Sequence, residues 1–449
     1  MEKYLLRNTI LDLLLRIDQD NGYSHLLINH EIKSKHIPVK DEALLTEIVY
    51  GTIQQKLTLD FYIQHFIKGK KRLQPWVQML LRMSIYQMVY LDKIPDHAII
   101  HEAVEIGKQR GHRGIAALIN GVLRNIQRNG VPNTDLISDD VERIAVETSH
   151  PTWLVQRWIT HYGYEITKAM CIANTTHKPV SIRVQPLLIN RDEAMAILQK
   201  EGIEVRPSDF SEQGIIIEKG NIMKSALWKA GKVTIQDQSS MLVGEMMQAE
   251  PGMKVLDACS APGGKVTHLA EKMQNSGEIH AHDLHQRKIK LIQQKMEQLQ
   301  LSIIEPKQAD ARQLHTMYAS ESFDRILVDA PCSGLGVVRG KPDIKYSKTE
   351  NDIAQLAKIQ REILDSVAPL LKDKGSLIYS TCTVDPTENE EVIKAFLTSN
   401  PEFNVDAHFF EELPTILNES QGITPYGLQI FPQTYNTDGF FLTRVTRHL

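Results

Sequence analysis

Cysteine is scarce in this chain of 449 residues, and the four cysteines lie far apart: Cys171, Cys259, Cys332 and Cys382. None belongs to a CxxC pair or to a cysteine and histidine cluster at zinc spacing, so the sequence predicts neither a disulfide framework nor a bound metal. Taken alone, each thiol is expected to be reduced and to pack as a small apolar side chain.

Long hydrophobic runs are also lacking, because charges interrupt every apolar stretch well before the roughly 20 residues that a membrane span needs. The first residues, "MEKYLLRNTILDLLLRIDQD", carry Arg7, Asp12 and Arg16, which predicts an amphipathic helix and not a signal peptide. A composition of 42% hydrophobic and 24% charged residues is typical of soluble globular proteins. We therefore expect a cytoplasmic protein without a membrane partner, and a monomer by default.

A strong excess of positive charge is missing too, since the formal net charge is −4. This argues against a dedicated basic nucleic-acid binder, yet residues 1–130 sum to +5 and the remainder to −9. The asymmetry is compatible with an N-terminal domain that meets a polyanion. The basic stretch "IKGKKRLQPW", Ile67 to Trp76, is either a phosphate contact or a solvated turn.

Hydrophobic periodicity divides the chain into successive regions. Helical spacing over residues 1–130 predicts an all-α bundle, and turn formers and acids in "NGVPNTDLISDD" make residues 131–150 a linker. Residues 151–235 combine helices with strands and predict a small α+β subdomain. Residues 236–449 alternate short strands with helices, which predicts a Rossmann-like α/β domain with a mostly parallel seven-stranded sheet that ends in a reversed hairpin, similar to class I methyltransferases.

A glycine turn in "VLDACSAPGGKVTHLAEKM" joins a strand to a helix and matches neither a dinucleotide nor a phosphate-loop motif. Asp283 ends the next strand, twenty residues after Gly263, where a carboxylate can hold ribose hydroxyls. Asp310 ends the third strand, at a position suited to an adenine amino group, and Asp329 ends the fourth beside the expected reaction centre. Each aspartate alone could be a turn or helix-cap residue; together they favour S-adenosylmethionine over NAD.

Cys332 follows the fourth strand and Cys382 the fifth. Since the carboxyl ends of parallel strands face one crevice, both thiols should lie near the methyl donor. Carbon C5 of cytosine is a poor nucleophile, but a thiolate that adds to C6 makes C5 reactive; an amine or a hydroxyl needs no such help. The paired thiols therefore indicate carbon methylation of a pyrimidine.

Two sets of motifs resemble known families. "GTIQQKLTLD", "LLRMSIYQMVYLDKIPDHAIIHEAVEIGKQ" and "LINGVLRNIQR" resemble the NusB-type RNA-binding helical domain. "DACSAPGGKVTHLA", "DAPCSGLGVVRGKPDIKY", "YSTCTVDPTENE" and "TDGFFLTR" are similar to the Sun/Fmu group of bacterial RNA cytosine-C5 methyltransferases, in the wider NOL/NOP/Sun family. Together they span essentially the full chain. "VVRGKPDIKY" departs from the family, where many relatives have paired arginines and a tryptophan.

The resemblance implies roles for particular residues. Cys382 would attack C6 and Cys332 would assist product release, while Asp329 would hold the cytosine edge and Lys265 would lie near donor and substrate. The segment Gln236 to Ser240 would help to shape the donor site. The residues implied to bind S-adenosylmethionine are Cys259, Ser260, Ala261, Pro262, Gly263, Gly264, Lys265, Asp283, Asp310 and Asp329.

Other positions keep two interpretations each. Arg183 is either an RNA-side arginine or a surface residue of a strand, and Arg339 and Lys345 either contact RNA phosphates or are solvated. In the stretch after Cys382, helix capping and loop shape are favoured over a chemical role. The residues of that stretch are Pro386, Glu388, Asn389 and Glu390.

The resemblance implies methylation of 16S rRNA, by the enzyme type that modifies cytosine 967, on naked rRNA or a partly assembled small subunit. The target base would leave its stack to reach thiol and donor. The alternatives are a tRNA cytosine-C5 methyltransferase and an RNA-binding assembly factor with a vestigial catalytic domain. A DNA cytosine methyltransferase is disfavoured, because there the Pro-Cys cysteine attacks and no large target-recognition insertion is present here.

Overall fold

The computed structural model describes residues 5–20, 24–35, 37–67 and 73–448, and the chain divides into two compact units. The first unit comprises residues 1–176 and 338–347, and the second comprises residues 177–337 and 348–449. The domain boundaries at residues 130, 150 and 235 stay predictions, since this division by compactness falls elsewhere. Half of the basic stretch at residues 67–76, namely residues 68–72, lies outside the described residues.

The first unit is built from helices, and the first seven of them pack around one apolar core. Helix α5 lies at its centre, and Leu80, Leu81 and Ile85 on it are fully buried. The helices are α1 Leu5–Asp20, α2 Ser24–Ser34, α3 Val39–Gln54, α4 Lys56–Phe66, α5 Pro75–Tyr90, α6 Asp96–Arg110, α7 Arg113–Asn129, α8 Asp140–Glu147, α9 Thr152–Tyr162, α10 Tyr164–Asn174 and α16 Ile344–Ser347, with a 3₁₀ turn at Thr134–Leu136. The all-α bundle predicted at the N-terminus is confirmed.

The second unit contains a small antiparallel sheet in the strand order β2-β3-β1-β4. Its core includes Ile182, Val184, Leu198 and Ile215. The strands are β1 Val180–Val184, β2 Glu204–Pro207, β3 Gly214–Lys219 and β4 Val233–Ile235, with helices α11 Arg191–Lys200 and α12 Ala226–Lys229 and a 3₁₀ turn at Ile222–Lys224. The α+β subdomain predicted from the strand and helix alternation is confirmed.

The large sheet of this unit has the order β11-β12-β13-β9-β8-β5-β6-β7, with β10 paired to β13. Its strands are β5 Lys254–Asp257, β6 Glu278–Asp283, β7 Ile304–Gln308, β8 Phe323–Asp329, β9 Leu371–Thr381, β10 Phe403–Val405, β11 Ile423–Thr424, β12 Gly427–Ile430 and β13 Phe440–Arg447. Strands β5 to β9 are parallel, and β13 returns antiparallel beside β9. The predicted seven-stranded arrangement is confirmed as β7-β6-β5-β8-β9-β13-β12, which the short strands β10 and β11 extend.

Helices cover both faces of the large sheet, which explains why its strands are apolar runs and not alternating ones. Leu327 and Ile378 belong to the apolar cluster on one face, whereas Ile326 and Leu377 belong to the cluster on the other. The helices are α13 Gln238–Met246, α14 Gly264–Lys272, α15 Gln286–Gln298, α17 Glu350–Val367, α18 Glu390–Ser399, α19 Ala407–Glu411 and α20 Pro432–Tyr435, with 3₁₀ turns at Ala311–Thr316, Ala368–Leu370, Pro386–Glu388 and Thr415–Leu417.

Within the described part of the chain, we find no helix that is long and apolar enough to cross a membrane.

Residues 338–347 follow the fourth strand of the large sheet in sequence but pack within the helical unit. Lys345 is fully buried and its Nζ donates to the carbonyl of Gln54 at 3.0 Å. Tyr346 donates from its hydroxyl to the carbonyl of Ser149 at 2.9 Å. The expectation that Lys345 contacts RNA phosphates or is solvated is therefore wrong, because the side chain is enclosed by protein.

The burial of Lys345 makes the stability of the protein depend on pH. Burial lowers the pKa of Lys345 from 10.5 to about 7. Between these two pH values the unfolded chain binds more protons than the native state, so the free energy of unfolding rises with pH. We expect Lys345→Met to remove this rise, which is at most about 1.4 kcal/mol per pH unit. Urea unfolding of wild type and variant from pH 7 to pH 10 measures the difference.

The matched control is Lys341→Met, a change to an exposed lysine of the same segment. This control should keep the pH profile of the wild type. Parallel profiles for wild type and Lys345→Met would contradict a neutral buried lysine.

Candidate active site

The carboxyl ends of strands β8 and β9 bring two cysteines together. The strands are parallel, and Asp329 at the end of β8 lies opposite Ser380 near the end of β9. Cys332 and Cys382 follow these ends, and their sulfur atoms are 3.3 Å apart. Both residues are partly exposed. The two thiols predicted to share a crevice are thus placed in contact.

Cys382 is held by backbone contacts on a rigid strand end. Its carbonyl accepts a hydrogen bond from the amide of Gly336 at 2.9 Å. A Cβ atom at Gly336 would lie 2.0 Å from the carbonyl oxygen of Gly439, so only glycine permits this approach. Thr381 donates to the side chain of Asn389 at 2.5 Å. The glycines of the "GLG" and "TDGFF" motifs therefore serve the position of the thiol.

An ion pair stands beside the thiols. Lys265 Nζ lies 2.8 Å from Asp329 Oδ2, and Ser380 donates to the other oxygen of Asp329 at 2.9 Å. The ammonium also lies 5.2 Å from the ring centre of Phe440. Burial opposes the charge of Lys265, but the charge and hydrogen bond of Asp329, with contributions from Cys382 and Asp257, raise the pKa of the lysine. The charged form of Lys265 is therefore favoured at this site.

Cys332 is the thiol that keeps its proton. The contact with Cys382, together with burial and the nearby carboxyl of Glu388, raises its pKa well above the usual value. Burial raises the pKa of Cys259 in the same direction, helped by three aspartates of the strand ends. Low reactivity is expected of both thiols in the resting protein.

Glu388 fixes the loop that carries Cys332. Its carboxyl oxygens accept from the amide of Ser333 at 2.8 Å and from the hydroxyl of Ser333 at 2.5 Å. Gln360 donates to the same carboxyl at 3.1 Å, and Tyr379 donates to the backbone carbonyl of Glu388 at 2.6 Å. Burial raises the pKa of Glu388 to about 7. The role in loop shape that was favoured for Glu388 therefore applies to the Cys332 loop. Sequence spacing alone did not indicate which loop Glu388 holds.

The glycine turn between β5 and α14 forms the other wall of the site. Gly263 has φ +97°, a left-handed conformation that favours glycine, and Gly264 begins the helix. The amide of Ser260 donates to the carbonyl of His282 at 2.7 Å, which ties the turn to β6. The turn also contains a cis peptide bond between Ala261 and Pro262.

Asp257, at the end of β5, is a site residue that the sequence analysis missed. It is fully buried, and its Oδ2 atom has no hydrogen-bond partner among the described residues. Burial, with a contribution from Asp329, raises its pKa to about 7. The strand-end position was the available signal, because the same criterion had singled out the three other aspartates.

The two remaining aspartates are engaged locally. Asp283 accepts from the amide of His285 at 3.0 Å and lies 3.4 Å from Lys288 Nζ. Asp310 caps the 3₁₀ turn that follows it and pairs with Arg312 at 2.6 Å, which lowers its pKa. Both lie at the predicted edge of the sheet, and each also makes one of the contacts that were the alternative interpretation, a turn contact for Asp283 and a helix cap for Asp310.

The donor groups at this edge fit S-adenosylmethionine. An unpartnered buried carboxylate oxygen on Asp257 suits an amino group, and the amides at the start of α14 suit a carboxylate. Asp283 ends the neighbouring strand, where a ribose would lie. We find no group of histidine, cysteine and carboxylate side chains able to hold a metal among the residues that the structure describes.

Arg183 is neither at a surface nor free to face RNA. It is buried to within 1% exposure, and its guanidinium pairs with Glu271 on α14. Gln236, in the segment predicted to shape the donor site, accepts a hydrogen bond from the same guanidinium. Both interpretations given for Arg183 are therefore wrong, because α14 covers this face of β1.

This strand order and the strand-end site are those of a class I methyltransferase. Three family models match the chain in succession: "NusB family" over residues 5–128, a "Methyltr_RsmF/B-like, ferredoxin-like domain" over residues 150–223, and "16S rRNA methyltransferase RsmB/F" over residues 245–446. The chain belongs to the family of ribosomal RNA small subunit methyltransferase B, as its relatives show.

A probable ribosomal RNA small subunit methyltransferase B of Bacillus subtilis is 46% identical over 446 residues, 98% of each chain. A ribosomal RNA small subunit methyltransferase B of Pseudomonas putida is 34% identical over 410 residues, 91% of each chain. Among solved structures, PH0851 matches with a TM-score of 0.80 at 25% identity and covers 100% of this chain and 99% of its own. The resemblances drawn from the motifs are confirmed.

The distance between the two sulfur atoms generates a prediction about oxidation. A peroxide should convert one thiolate into a sulfenic acid with release of hydroxide, and the neighbouring thiol should displace water to form a disulfide. We expect loss of two of the four free thiols on alkylation, a linked Cys332–Cys382 peptide in mass spectrometry, and full recovery with dithiothreitol.

Cys332→Ser should abolish this reversible loss, whereas Cys171→Ala, a change to a fully buried thiol, should leave it intact. Direct overoxidation of one thiol without a cross-link would contradict the observed contact.

Proposed function

We propose that this protein transfers a methyl group to C5 of a cytosine in 16S rRNA through a covalent bond between Cys382 and C6. The observation that carries the proposal is the contact of two thiols, 3.3 Å apart, at the ends of adjacent strands. The names of the relatives, which refer to ribosomal RNA of the small subunit, support the substrate class. The proposal rests on this pair because amine or hydroxyl methylation needs neither thiol.

S-adenosylmethionine, when bound, supplies the electrophilic methyl group. The loop from Cys259 to Lys265, with Asp283, Asp310 and Asp329, would hold it, and Asp257 joins this set through its unpartnered oxygen. Gly263 and Gly264 direct backbone amides at the donor. The loop assignments follow the family motif, whereas those of Asp283 and Asp310 follow their strand-end positions.

Cys382 is assigned the attack on C6. Lys265 lies close enough to Cys382 for their charges to interact, and a nearby cation favours the thiolate. The bond from sulfur to C6 gives C5 the electron density to take the methyl group. A general base then takes the C5 proton, and the electron pair of that bond forms the C5–C6 double bond as the Cys382 sulfur leaves, which restores the aromatic ring.

Cys332 is assigned to release of the product. Its raised pKa keeps the thiol protonated beside Cys382, so a proton donor lies 3.3 Å from the sulfur that must leave. Asp329, oriented by Lys265 and Ser380, is assigned to the exocyclic amine of the cytosine. A carboxylate suits this donor edge of the base.

The target base must leave its stack, because the thiol approaches C6 from a face of the ring. The position in 16S rRNA follows from the resemblance, which implies the type that modifies cytosine 967. A tRNA substrate and a non-catalytic role in ribosome assembly are the outcomes against which the proposal is tested.

The test uses purified protein, S-adenosylmethionine with a labelled methyl group, and unmodified 16S rRNA, 23S rRNA, tRNA or DNA as substrates. We expect label in 16S rRNA, recovered as 5-methylcytidine after digestion to nucleosides. Cys382→Ala should abolish transfer, because the C6 adduct cannot form. Cys332→Ala should accumulate a covalent RNA adduct, because the adduct forms but does not resolve.

Cys171→Ala serves as the matched cysteine control, since this residue is buried in the helical unit, and it should retain transfer. Adding partly assembled small subunits as a further substrate separates naked rRNA from ribonucleoprotein. Undiminished transfer by Cys382→Ala would overturn the assigned roles, and label in tRNA alone would overturn the substrate.

A further inference from the structure

The guanidinium of Arg183 on β1 uses all five of its N–H groups in hydrogen bonds. The acceptors lie in the glycine turn at the start of α14 and in the side chains that pack beside this turn. Nε and Nη2 donate to the two carboxylate oxygens of Glu271, each at 2.8 Å. Nη2 also donates to Thr267 Oγ1 at 3.0 Å. Nη1 donates to the backbone carbonyl of Gly264 at 2.7 Å and to the side chain of Gln236. A guanidinium with five satisfied donors is fixed in orientation.

The alternation of β1 explains how the arginine reaches this point. Ile182 and Val184 face the core of the small sheet, so Arg183 projects from the opposite face. That face is covered as well, because Arg183 and Glu271 have side-chain exposures of 0% and 1%. A buried charge pair is tolerated only when its hydrogen bonds are complete, and Gln213 completes Glu271 with a hydrogen bond of 2.9 Å.

The groups that accept hydrogen bonds from Arg183 belong to the segment that shapes the proposed S-adenosylmethionine site. Gly264 follows the left-handed Gly263 and begins α14. Thr267 donates back to the carbonyl of Gly263 at 2.7 Å, so the arginine contacts both ends of the first helical turn. Lys265 lies between these contacts and pairs with Asp329 at 2.8 Å. A shift of the turn would therefore move both the donor site and the cation beside Cys382.

We propose that Arg183 is a positioning residue, through which the small sheet holds the Gly263–Thr267 turn in the geometry that binds S-adenosylmethionine. The inference rests on the proposed function for the identity of the donor. Lysine cannot replace it, because an ammonium has three donors and no planar fork to match Glu271, Gly264 and Thr267 together.

The test compares Arg183→Met and Arg183→Lys with wild type for binding of S-adenosylmethionine, by calorimetry without RNA. We expect Arg183→Met to weaken binding about tenfold or more, which is the scale of losing one hydrogen bond that involves a charged group. The KM for the donor should rise while the KM for RNA stays unchanged. Arg183→Lys should recover only part of the affinity.

A double variant separates positioning from stability. Arg183→Met with Glu271→Leu removes both members of the buried pair, and such replacements often restore stability. The thermal midpoint should recover in the double variant while donor affinity stays low, because the bonds to Gly264 and Thr267 are still missing. Recovery of affinity together with stability would overturn the proposal, since the role would then be structural.

Arg444→Met provides the matched control. Arg444 is a second buried arginine of the same unit, paired with Asp406 at 2.6 Å and Glu412 at 2.8 Å. Arg444→Met should lower the thermal midpoint of unfolding without changing the affinity for S-adenosylmethionine. A loss of this affinity as large as that of Arg183→Met would contradict a specific role for Arg183. Wild-type protein that fails to bind S-adenosylmethionine would refute the proposed function instead, so the two failures are distinguishable.

Discussion

The parallel register of β8 with β9 is the constraint on which the site depends. Asp329 lies opposite Ser380, and the chain leaves each strand within three residues of that pair to reach Cys332 and Cys382. A slip of one residue would reverse the face of every following side chain. Such a slip would exchange Ile326 and Leu327 between their apolar clusters, and the close packing of both clusters opposes that exchange. The distance between two reactive sulfurs is thus set by the packing of aliphatic side chains.

The charges around the site are buried or partly buried, and each is stabilised in a different way. Lys265 and Asp329 form a pair that the neighbouring serine completes. Arg183 satisfies Glu271 with a two-pronged bond. Burial instead raises the pKa of Glu388 to about 7, so partial protonation lowers the cost of burying its charge. The amide of Ser333 donates a hydrogen bond to the same carboxyl group. Because removing one partner of a buried pair costs more than removing both, single substitutions here act on geometry as well as on chemistry.

Local patterns predicted the fold and the strand-end residues, because strand alternation and turn chemistry are properties of a few neighbouring positions. They failed where the partner is distant in sequence. Lys345 meets the carbonyl of Gln54 across 291 residues, and a basic residue in a polar stretch gave no sign of burial. The alternation of the strand that carries Arg183 was visible in the sequence. The face on which Arg183 lies is covered by α14, whose Gly264 is 81 residues away in sequence, and local patterns do not reveal such a partner. Asp257 was predictable from its position and was overlooked.

Sequence spacing gives the two cysteines equivalent positions, and the structure distinguishes them by the contacts that hold each one in place. Cys382 follows a strand end whose backbone accepts from Gly336, whereas Cys332 lies in a loop whose position depends on the carboxyl of Glu388. A nucleophile needs a fixed approach to C6, which a strand end provides better than a loop. A proton donor needs to keep its proton, and the contact with Cys382, together with burial and the nearby carboxyl of Glu388, raises the pKa of Cys332. Rigidity and electrostatics therefore favour the same division of roles, with Cys382 as the attacking thiol and Cys332 as the donor that lets it leave.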